Sequence, residues 1–257
     1  RAVGHRSEEQ HGYVHPSIVE RNTARSCSRT LQSVPPRLVS TAVDLLFPLR
    51  CAGCGAFDTA LCASCESSLE PATGPGRCGH CSARWDGPGF CPRCFHLQHI
   101  AGVHAAFEMA GPARQLVHGL KYRYFRALAP VMGRLLTQAL PGLAFDACFP
   151  VPLHRSRMLE RGFNQSELLM RETPLPSQSP GLVRVRRTQR QVGQRLNERR
   201  SNVAGAFAYS GPSLAGLRVA VLDDVVTIGA TAQECALVLR DAGAGEVDQR
   251  GGGGRRA

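Results

Sequence analysis

Two adjacent carboxylates, Asp223 and Asp224, lie between a short apolar stretch and a loop of small and hydroxyl-bearing residues. Residues 217–222 have the length of a strand, and residues 232–242 have the spacing of a helix that stops at Gly243. Backbone N–H groups in such a loop, with the positive end of the helix, can hold a phosphate. The carboxylates can hold sugar hydroxyls or order a hydrated Mg2+. The stretch therefore predicts a phosphate-binding turn.

This turn differs from the two glycine-rich phosphate-binding fingerprints. The stretch has neither the GxGxxG pattern of dinucleotide-binding folds nor the GxxxxGKS or GxxxxGKT pattern of P-loops. The residues expected to contact a phosphate are Val225, Val226, Thr227, Ile228, Gly229, Ala230 and Thr231.

Eight cysteines in four CxxC pairs, all within 44 residues, form a second group of chemically active side chains. The pairs are Cys51 with Cys54, Cys62 with Cys65, Cys78 with Cys81, and Cys91 with Cys94. A CxxC turn places two thiolates on one side of a tight knuckle, and two knuckles complete a tetrahedral site. The pattern predicts two structural zinc ions, because the segment has few large apolar residues and metal must replace the missing core.

The spacing leaves the pairing of the knuckles open, since consecutive knuckles or an interleaved cross-brace would both fit. A disulfide framework is a rival interpretation, but it needs an oxidising compartment that no feature of the chain indicates. An iron–sulfur site is another rival, although the clustered ferredoxin spacing is absent. A closed site of four thiolates has no open position for catalysis, so the predicted role of the metal is structural.

Composition and charge indicate a globular protein that favours anionic partners. Charged residues make up 20% of the chain and apolar ones 43%, and the net charge of +11 suits phosphorylated sugars, nucleotides or nucleic acid. No run approaches the ~18 apolar residues that span a membrane, and the first residues lack the apolar core of a secretory signal. We therefore expect no membrane span and a cytoplasmic location. The missing initial Met suggests a fragment, a processed form or an imprecise gene start.

Periodicity predicts the elements that position these groups. A polar leader is expected over residues 1–37, followed by an amphipathic helix over residues 38–49. Further along, we expect a strand at residues 103–109, helices at 112–120 and 128–140, a buried strand entering a Pro-rich loop at 145–154, and a helix through Met170. Residues 188–200 are basic and Gln-rich, which predicts a mobile loop over an anionic ligand.

Four motifs in this order resemble the ComF family, whose members are linked to natural competence and DNA uptake. They are the CxxC module, Pro150–His154 running into Arg161–Gln165, Arg200–Phe207, and the loop after Asp223 and Asp224. The last motif also resembles the phosphoribosyl-pyrophosphate (PRPP) signature of type I phosphoribosyltransferases. The resemblance covers roughly residues 38 to 246.

The resemblance implies an α/β fold: a type I phosphoribosyltransferase-like parallel-sheet domain at residues 97–247, preceded by a double zinc ribbon at 38–96. It implies a site for PRPP with Mg2+, in which Asp223 and Asp224 are the catalytic pair that orients the ribose. The loop after Pro152 would receive pyrophosphate, with Arg155 and Arg161 as its partners. Residues 188–200 would form the lid.

Two departures from the family pattern bear on the site. Ile228 replaces a hydroxyl residue, which removes a hydrogen bond to phosphate worth roughly 1.5–3 kcal/mol. Residues 248–257 replace an expected apolar strand with a Gly/Arg run, and we expect an irregular tail there.

Three hypotheses about function follow. The first is a phosphoribosyltransferase of unknown acceptor. The second is a competence factor that handles single-stranded DNA through its arginines, among them Arg184, Arg186, Arg187 and Arg190, with competence or DNA-processing proteins as partners. The third is a non-catalytic zinc-ribbon adaptor whose PRPP site is vestigial or regulatory.

Overall fold

The computed structural model describes residues 49–122, 125–178, 181–188, 201–226 and 230–254. Several predictions lie outside these residues: the leader at 1–37, almost all of the helix at 38–49, and the lid residues 189–200. Thr227, Ile228 and Gly229 of the predicted phosphate loop also lie outside the described residues, as do residues 255–257.

A parallel sheet of four strands forms the centre of the described structure, in the order β1–β6–β5–β2. The strands are β1 (Gly102–Glu108), β2 (Ala147–Pro150), β5 (Arg218–Val226) and β6 (Glu246–Gly254). A separate antiparallel pair consists of β3 (Leu182–Arg184) and β4 (Phe207–Tyr209). The predicted strands at 103–109, 145–154 and 217–222 are confirmed, and β5 runs four residues further than expected so that it includes both carboxylates.

Helices connect the strands and cover both faces of the sheet, as parallel sheets require. They are α1 (Ala63–Ser67), α2 (Gly111–Tyr122), α3 (Ala129–Ala139), α4 (Arg155–Arg161), α5 (Gln165–Arg171) and α6 (Ala230–Asp241), with short 3-10 helices at Pro92–His96 and Arg126–Leu128. The helices predicted at 112–120, 128–140 and 232–242 are confirmed. Gly243 follows α6 with φ 101°, a backbone conformation that favours glycine and ends the helix. Within the described residues no helix is both long and apolar enough to cross a membrane.

The two Cys-rich halves pack against opposite faces of the sheet. Cys51 belongs to the apolar core shared with α2, α3 and α5, which contains Leu222 of β5. Cys78, Cys81 and Cys91 belong to the core shared with α6, which contains Val221 of β5. Neighbouring residues of a strand point to opposite faces, so β5, like β1 and β2, contributes side chains to both cores. The described residues belong to one compact unit, and the predicted boundary at residue 96 stays a prediction about sequence modules.

The Cys-rich segment also covers the free edge of β1. The N–H of Val103 donates to the carbonyl of His80 at 2.7 Å, and the N–H of Ala72 donates to the carbonyl of Ala106 at 3.0 Å. An edge strand with unpaired N–H and C=O groups can pair with another chain and cause aggregation. The Cys-rich segment prevents this by pairing with those groups of β1.

The expectation of an irregular tail after Val247 is wrong for residues 248–254. These residues continue β6, which is hydrogen-bonded to β1 on one side and to β5 on the other. The glycines fit because side chains crowd this position. A Cβ added to Gly251 would lie 2.5 Å from Cγ2 of Val226, and one on Gly253 would lie 2.9 Å from the sulfur of Met109.

The Pro/Ser-rich residues 173–178, which follow α5, lie beside the outer edge of β2. Ser177 forms an isolated parallel bridge with Cys148, whose N–H donates to the carbonyl of Pro176 at 2.7 Å. The segment therefore covers the second edge of the sheet without forming a full strand.

Candidate functional site

Both carboxylates lie at the carboxyl end of β5, the edge of a parallel sheet where ligands bind in α/β folds. β2 ends beside them, because Pro150 pairs with Leu222, the residue before Asp223. The N–H of Val151 continues this pairing by donating to the carbonyl of Leu222 at 2.9 Å. The start of the Pro-rich loop is therefore held next to the acidic pair.

Asp224 is buried and is paired with Lys121 near the end of α2. The Nζ of Lys121 lies 2.9 Å from Oδ1 of Asp224, whose side chain is 4% exposed. Burial alone would lower the pKa of Lys121, but the carboxylates of Asp224 and Asp223 raise it above its ordinary value. The ammonium of Lys121 is therefore held in its charged form. Lys121 was not among the predicted site residues, although it stands out in the sequence as the only lysine of the chain.

Asp223 is less buried than Asp224 and has different partners. Its Oδ1 accepts hydrogen bonds from the hydroxyl of Ser166 at 3.2 Å and from the N–H of Asp224 at 2.9 Å. Burial and the neighbouring charge of Asp224 raise the pKa of Asp223 to about 7. The two adjacent carboxylates therefore have different environments, which the sequence did not reveal.

The Arg161–Gln165 motif supports Asp223 from α5. Asn164 caps this helix, since its Oδ1 accepts from the N–H of Ser166 at 3.0 Å. Its Nδ2 donates to the carbonyl of Val151 at 3.0 Å, which ties the helix to the Pro-rich loop. Asn164, Gln165 and Ser166 are all buried. The motif thus fixes the distance between the loop after β2 and the end of β5.

The predicted pyrophosphate residues lie on α4, which His154 caps by accepting from the N–H of Ser156 at 3.2 Å. Arg155 is exposed in the first turn of α4. Arg161 is the last residue of the helix, and its guanidinium lies 5.9 Å from the ring centroid of Tyr122. Tyr122 is the neighbour of Lys121, the partner of Asp224, so Arg161 lies on the side of α4 that faces the acidic pair. Arg155 is exposed, and no contact of its side chain with the acidic pair is described.

Arg184 on β3 is a further cation close to the site. Its side chain lies over the ring of Phe207 at 5.1 Å and donates to the hydroxyl of Thr188. Burial and the nearby guanidinium of Arg157 lower the pKa of Arg184, and the charge of Asp223 acts in the opposite direction. Arg184 was predicted to be one of the DNA-binding arginines, whereas the structure places it within electrostatic range of Asp223.

The predicted phosphate loop is described only at its two ends. Val225 and Val226 are buried residues of β5, and Ala230 and Thr231 begin α6. The strand and the helix are therefore arranged as predicted on either side of Thr227, Ile228 and Gly229, which lie outside the described residues.

The eight cysteines form two clusters from consecutive knuckles, which excludes the cross-brace. One cluster contains Cys51, Cys54, Cys62 and Cys65, and the other Cys78, Cys81, Cys91 and Cys94, with the sulfurs of each within 4.8 Å of one another. Measured separations include 3.7 Å between Cys54 and Cys62 and 3.4 Å between Cys78 and Cys94. A tetrahedral zinc with bonds of about 2.3 Å requires sulfur separations of about 3.8 Å. Both clusters therefore fit structural zinc.

The protonation of these thiols also suits a metal. Burial alone would raise the pKa of Cys51, but the N–H groups of Cys62 and Cys54 lower it to about 6. Burial and the neighbouring sulfurs raise the pKa of Cys65 to about 12. The second cluster repeats the contrast, with the pKa of Cys78 at about 6 and that of Cys81 at about 11. Zinc binding would release the remaining protons, because only thiolates coordinate it.

Known proteins match both the Cys-rich segment and the parallel-sheet part of this chain. Residues 42–95 match the double zinc ribbon domain family. The DNA utilization protein YhgH of Salmonella typhi is 35% identical over 176 residues, 61% of this chain and 74% of that protein. Competence protein F of Haemophilus influenzae is 36% identical over 108 residues, 40% of this chain and 47% of its own length. Competence protein ComFC of Bacillus subtilis is 34% identical over 94 residues, 37% of this chain and 38% of its own.

One solved structure, described as the allosteric regulatory enzyme of purine biosynthesis, is 22% identical with a TM-score of 0.33 over 48% of this chain and 25% of that one. A TM-score this low carries no weight for function. The predicted α/β fold, a parallel-sheet domain preceded by a Cys-rich zinc ribbon, is confirmed by the sheet order, the two cysteine clusters and the matched ribbon domain. The 35% identity to YhgH of Salmonella typhi extends over 74% of the length of YhgH. The chain therefore belongs to the ComF family.

Proposed function

We propose that this protein binds PRPP together with Mg2+ at the carboxyl end of β5, and that Asp223 receives the ribose hydroxyls. One observation carries the proposal: the less buried carboxylate of the acidic pair is fixed by the hydroxyl of Ser166 and the N–H of Asp224, near the carboxyl end of β5. A carboxylate held in one orientation can bind two neighbouring hydroxyls without further ordering.

The ends of the ligand would meet cationic and N–H groups. The loop from Val225 to Thr231 would bind the 5'-phosphate through backbone N–H groups at the start of α6. Arg155 and Arg161 on α4 would bind the pyrophosphate, with Arg184 as an additional cation from β3. Water ordered on Asp223 and the oxygens of PRPP would hold Mg2+, a cation that prefers oxygen ligands and would neutralise charge on the pyrophosphate.

The same arrangement could support transfer of the ribosyl group. A nucleophile would attack C1 of PRPP while the bond from C1 to pyrophosphate breaks, and the arginines would stabilise the departing negative charge. Asp223 would keep the ribose oriented during the attack. Release of pyrophosphate from PRPP would identify an enzyme, whereas binding without release would identify a PRPP sensor.

In the cell we propose a role in DNA uptake and use, because the relatives described above are named as DNA utilization and competence proteins. The alternative, a non-catalytic zinc-ribbon protein that binds single-stranded DNA or acts as an adaptor, is tested by oligonucleotide titration at two salt concentrations. Arg186 donates to the backbone carbonyls of Asn202 and Ala204, so at least one arginine of the proposed DNA-binding set already has partners within the protein.

Calorimetric titration with PRPP in the presence of Mg2+ tests the role of Asp223. Asp223→Asn should weaken binding at least tenfold, about 1.4 kcal/mol, because it removes a charge-assisted contact to the ribose. Asp241→Asn is the matched control, since Asp241 is an exposed residue at the end of α6. Equal affinity of both variants and the wild type would contradict the assignment.

A further inference from the structure

The acidic pair is divided between two tasks. We propose that Lys121 is the positioning residue of the site: it holds Asp224 as an internal anchor and leaves Asp223 as the single carboxylate that contacts the ribose. The inference rests on the proposed PRPP site and assigns different roles to two neighbouring residues that the family signature treats alike.

The geometry of Asp224 carries the first step. Its Oδ1 lies 2.9 Å from the ammonium of Lys121. Its Oδ2 is enclosed, and within the described residues no hydrogen-bond donor reaches it. A ribose hydroxyl could reach Asp224 only by opening a space that is closed to solvent. Asp223, in contrast, is less buried and is oriented from α5.

The surroundings of Lys121 carry the second step. Its own side chain is 24% exposed, so the ammonium is enclosed mainly by the protein. Removing the cationic partner of a buried carboxylate strongly destabilises a protein, because the remaining charge then has neither water nor a counterion around it. Lys121 is the only lysine of the chain, and it forms the ion pair with the buried Asp224.

The position of the pair in the fold carries the third step. Lys121 is the penultimate residue of α2, and Asp224 is two residues before the end of β5. The next residue, Tyr122, lies under the guanidinium of Arg161 at the end of α4. The ion pair therefore joins β5 to the end of α2. The same end of α2 contacts α4, the helix that carries the predicted pyrophosphate residues. A shift of this anchor would move Asp223 relative to α4.

The anchor makes a selective prediction about ligands. Lys121→Met should lower the affinity for PRPP at least tenfold, since an uncompensated Asp224 repels and displaces Asp223. The affinity for inorganic pyrophosphate, which lacks the ribose, should change less than twofold. A merely destabilised protein would lose both ligands together.

The test is a double-mutant cycle by calorimetry with PRPP and Mg2+ on the full chain. Lys121→Met and Asp224→Asn should each weaken PRPP binding, and the double variant should recover to within about threefold of the wild type, because no unpaired charge is left. Arg114→Met, which removes an exposed cation from the same helix, is the control and should bind like the wild type. A double variant as weak as Asp224→Asn alone would mean that Asp224 itself contacts the ligand, and it would overturn the proposal.

Two further outcomes are also decisive. If a single variant does not fold, the double variant carries the test alone, with recovered affinity in favour and a tenfold loss against. If the wild type binds no PRPP, the proposed function fails. The anchor is then decided by thermal unfolding, where each single substitution should lower the midpoint and the double variant should restore it. Additive losses of stability would overturn the anchor as well.

Discussion

At the scale of residues, the central feature is the contrast between Asp223 and Asp224. Asp224 is buried and paired with the half-buried ammonium of Lys121, whereas Asp223 accepts hydrogen bonds from a hydroxyl and a backbone N–H. Burial and the repulsion from Asp224 raise the pKa of Asp223 to about 7, so its protonated and ionised forms coexist near neutral pH. This makes Asp223 responsive to a bound cation or hydroxyl, and it makes the stability of the free protein depend on its charge.

The raised pKa of Asp223, about 7, predicts a pH dependence of stability. Between pH about 4 and 7 the unfolded chain loses the Asp223 proton before the folded chain does, so this group lowers stability as pH rises. Asp223→Asn should therefore be more stable than the wild type at pH 8, by about 1–2 kcal/mol after allowance for solvent screening. The advantage should vanish near pH 4. Urea denaturation at both pH values checks this, with Asp241→Asn as a control, and a difference that is independent of pH would contradict it.

Some of these residues could be predicted and others could not. The types and spacing of Asp223, Asp224 and the eight cysteines were enough to nominate them. Ser166 contacts Asp223 across 57 positions of sequence, and no local pattern marks such a pair. Likewise, being the only lysine singles out Lys121 in the sequence, but no local pattern identifies Asp224 as its partner.

At the scale of elements, β6 shows how the surroundings of a segment can determine its conformation. Its second half, Gly251–Gly254, has no apolar alternation, and the sequence therefore predicted an irregular tail. In the structure this half pairs with strands on both sides, and its small residues allow Val226 and Met109 to approach. Strands with apolar side chains, such as β1 and β5, could be predicted because their runs of apolar residues indicate burial.

Two neighbouring glycines test this placement of β6. A Cβ on Gly251 would lie 2.7 Å from the backbone oxygen of Asp223, whereas one on Gly252 would meet its nearest atom at 3.5 Å. Gly251→Ala should therefore destabilise the protein by about 1–3 kcal/mol through overpacking. Gly252→Ala should change stability by less than about 1 kcal/mol. Thermal unfolding of the two variants distinguishes them, and equal effects would argue against the observed register.

At the scale of the whole molecule, the two cysteine clusters hold the sheet from both faces. Each cluster contributes to a different apolar core, and the segment between them covers the edge of β1. Glu108 at the end of β1 strengthens this cover, since its buried carboxylate lies 2.5 Å from Arg77 and 3.3 Å from Arg84. The sequence predicted two separate modules, but packing between distant segments could not be inferred from their spacing.

This packing predicts that metal loss destabilises the entire described unit. The only tryptophan, Trp85, lies in the second ribbon and packs against the core shared with α6. Chelation should release two zinc ions per chain and lower the unfolding midpoints measured by Trp85 fluorescence and by far-ultraviolet circular dichroism together, because both report one cooperative unit. A fluorescence change without a shift in the dichroism transition would show that the ribbon unfolds independently.

The most direct test of the central claim is a calorimetric titration of the zinc-loaded wild-type protein with PRPP and Mg2+. We expect one site per chain, with ribose 5-phosphate and pyrophosphate each binding more weakly than PRPP because each contacts only part of the site. Omission of Mg2+ should weaken PRPP binding further. No heat of binding, together with no effect of PRPP on the thermal unfolding midpoint, would contradict a PRPP site at Asp223.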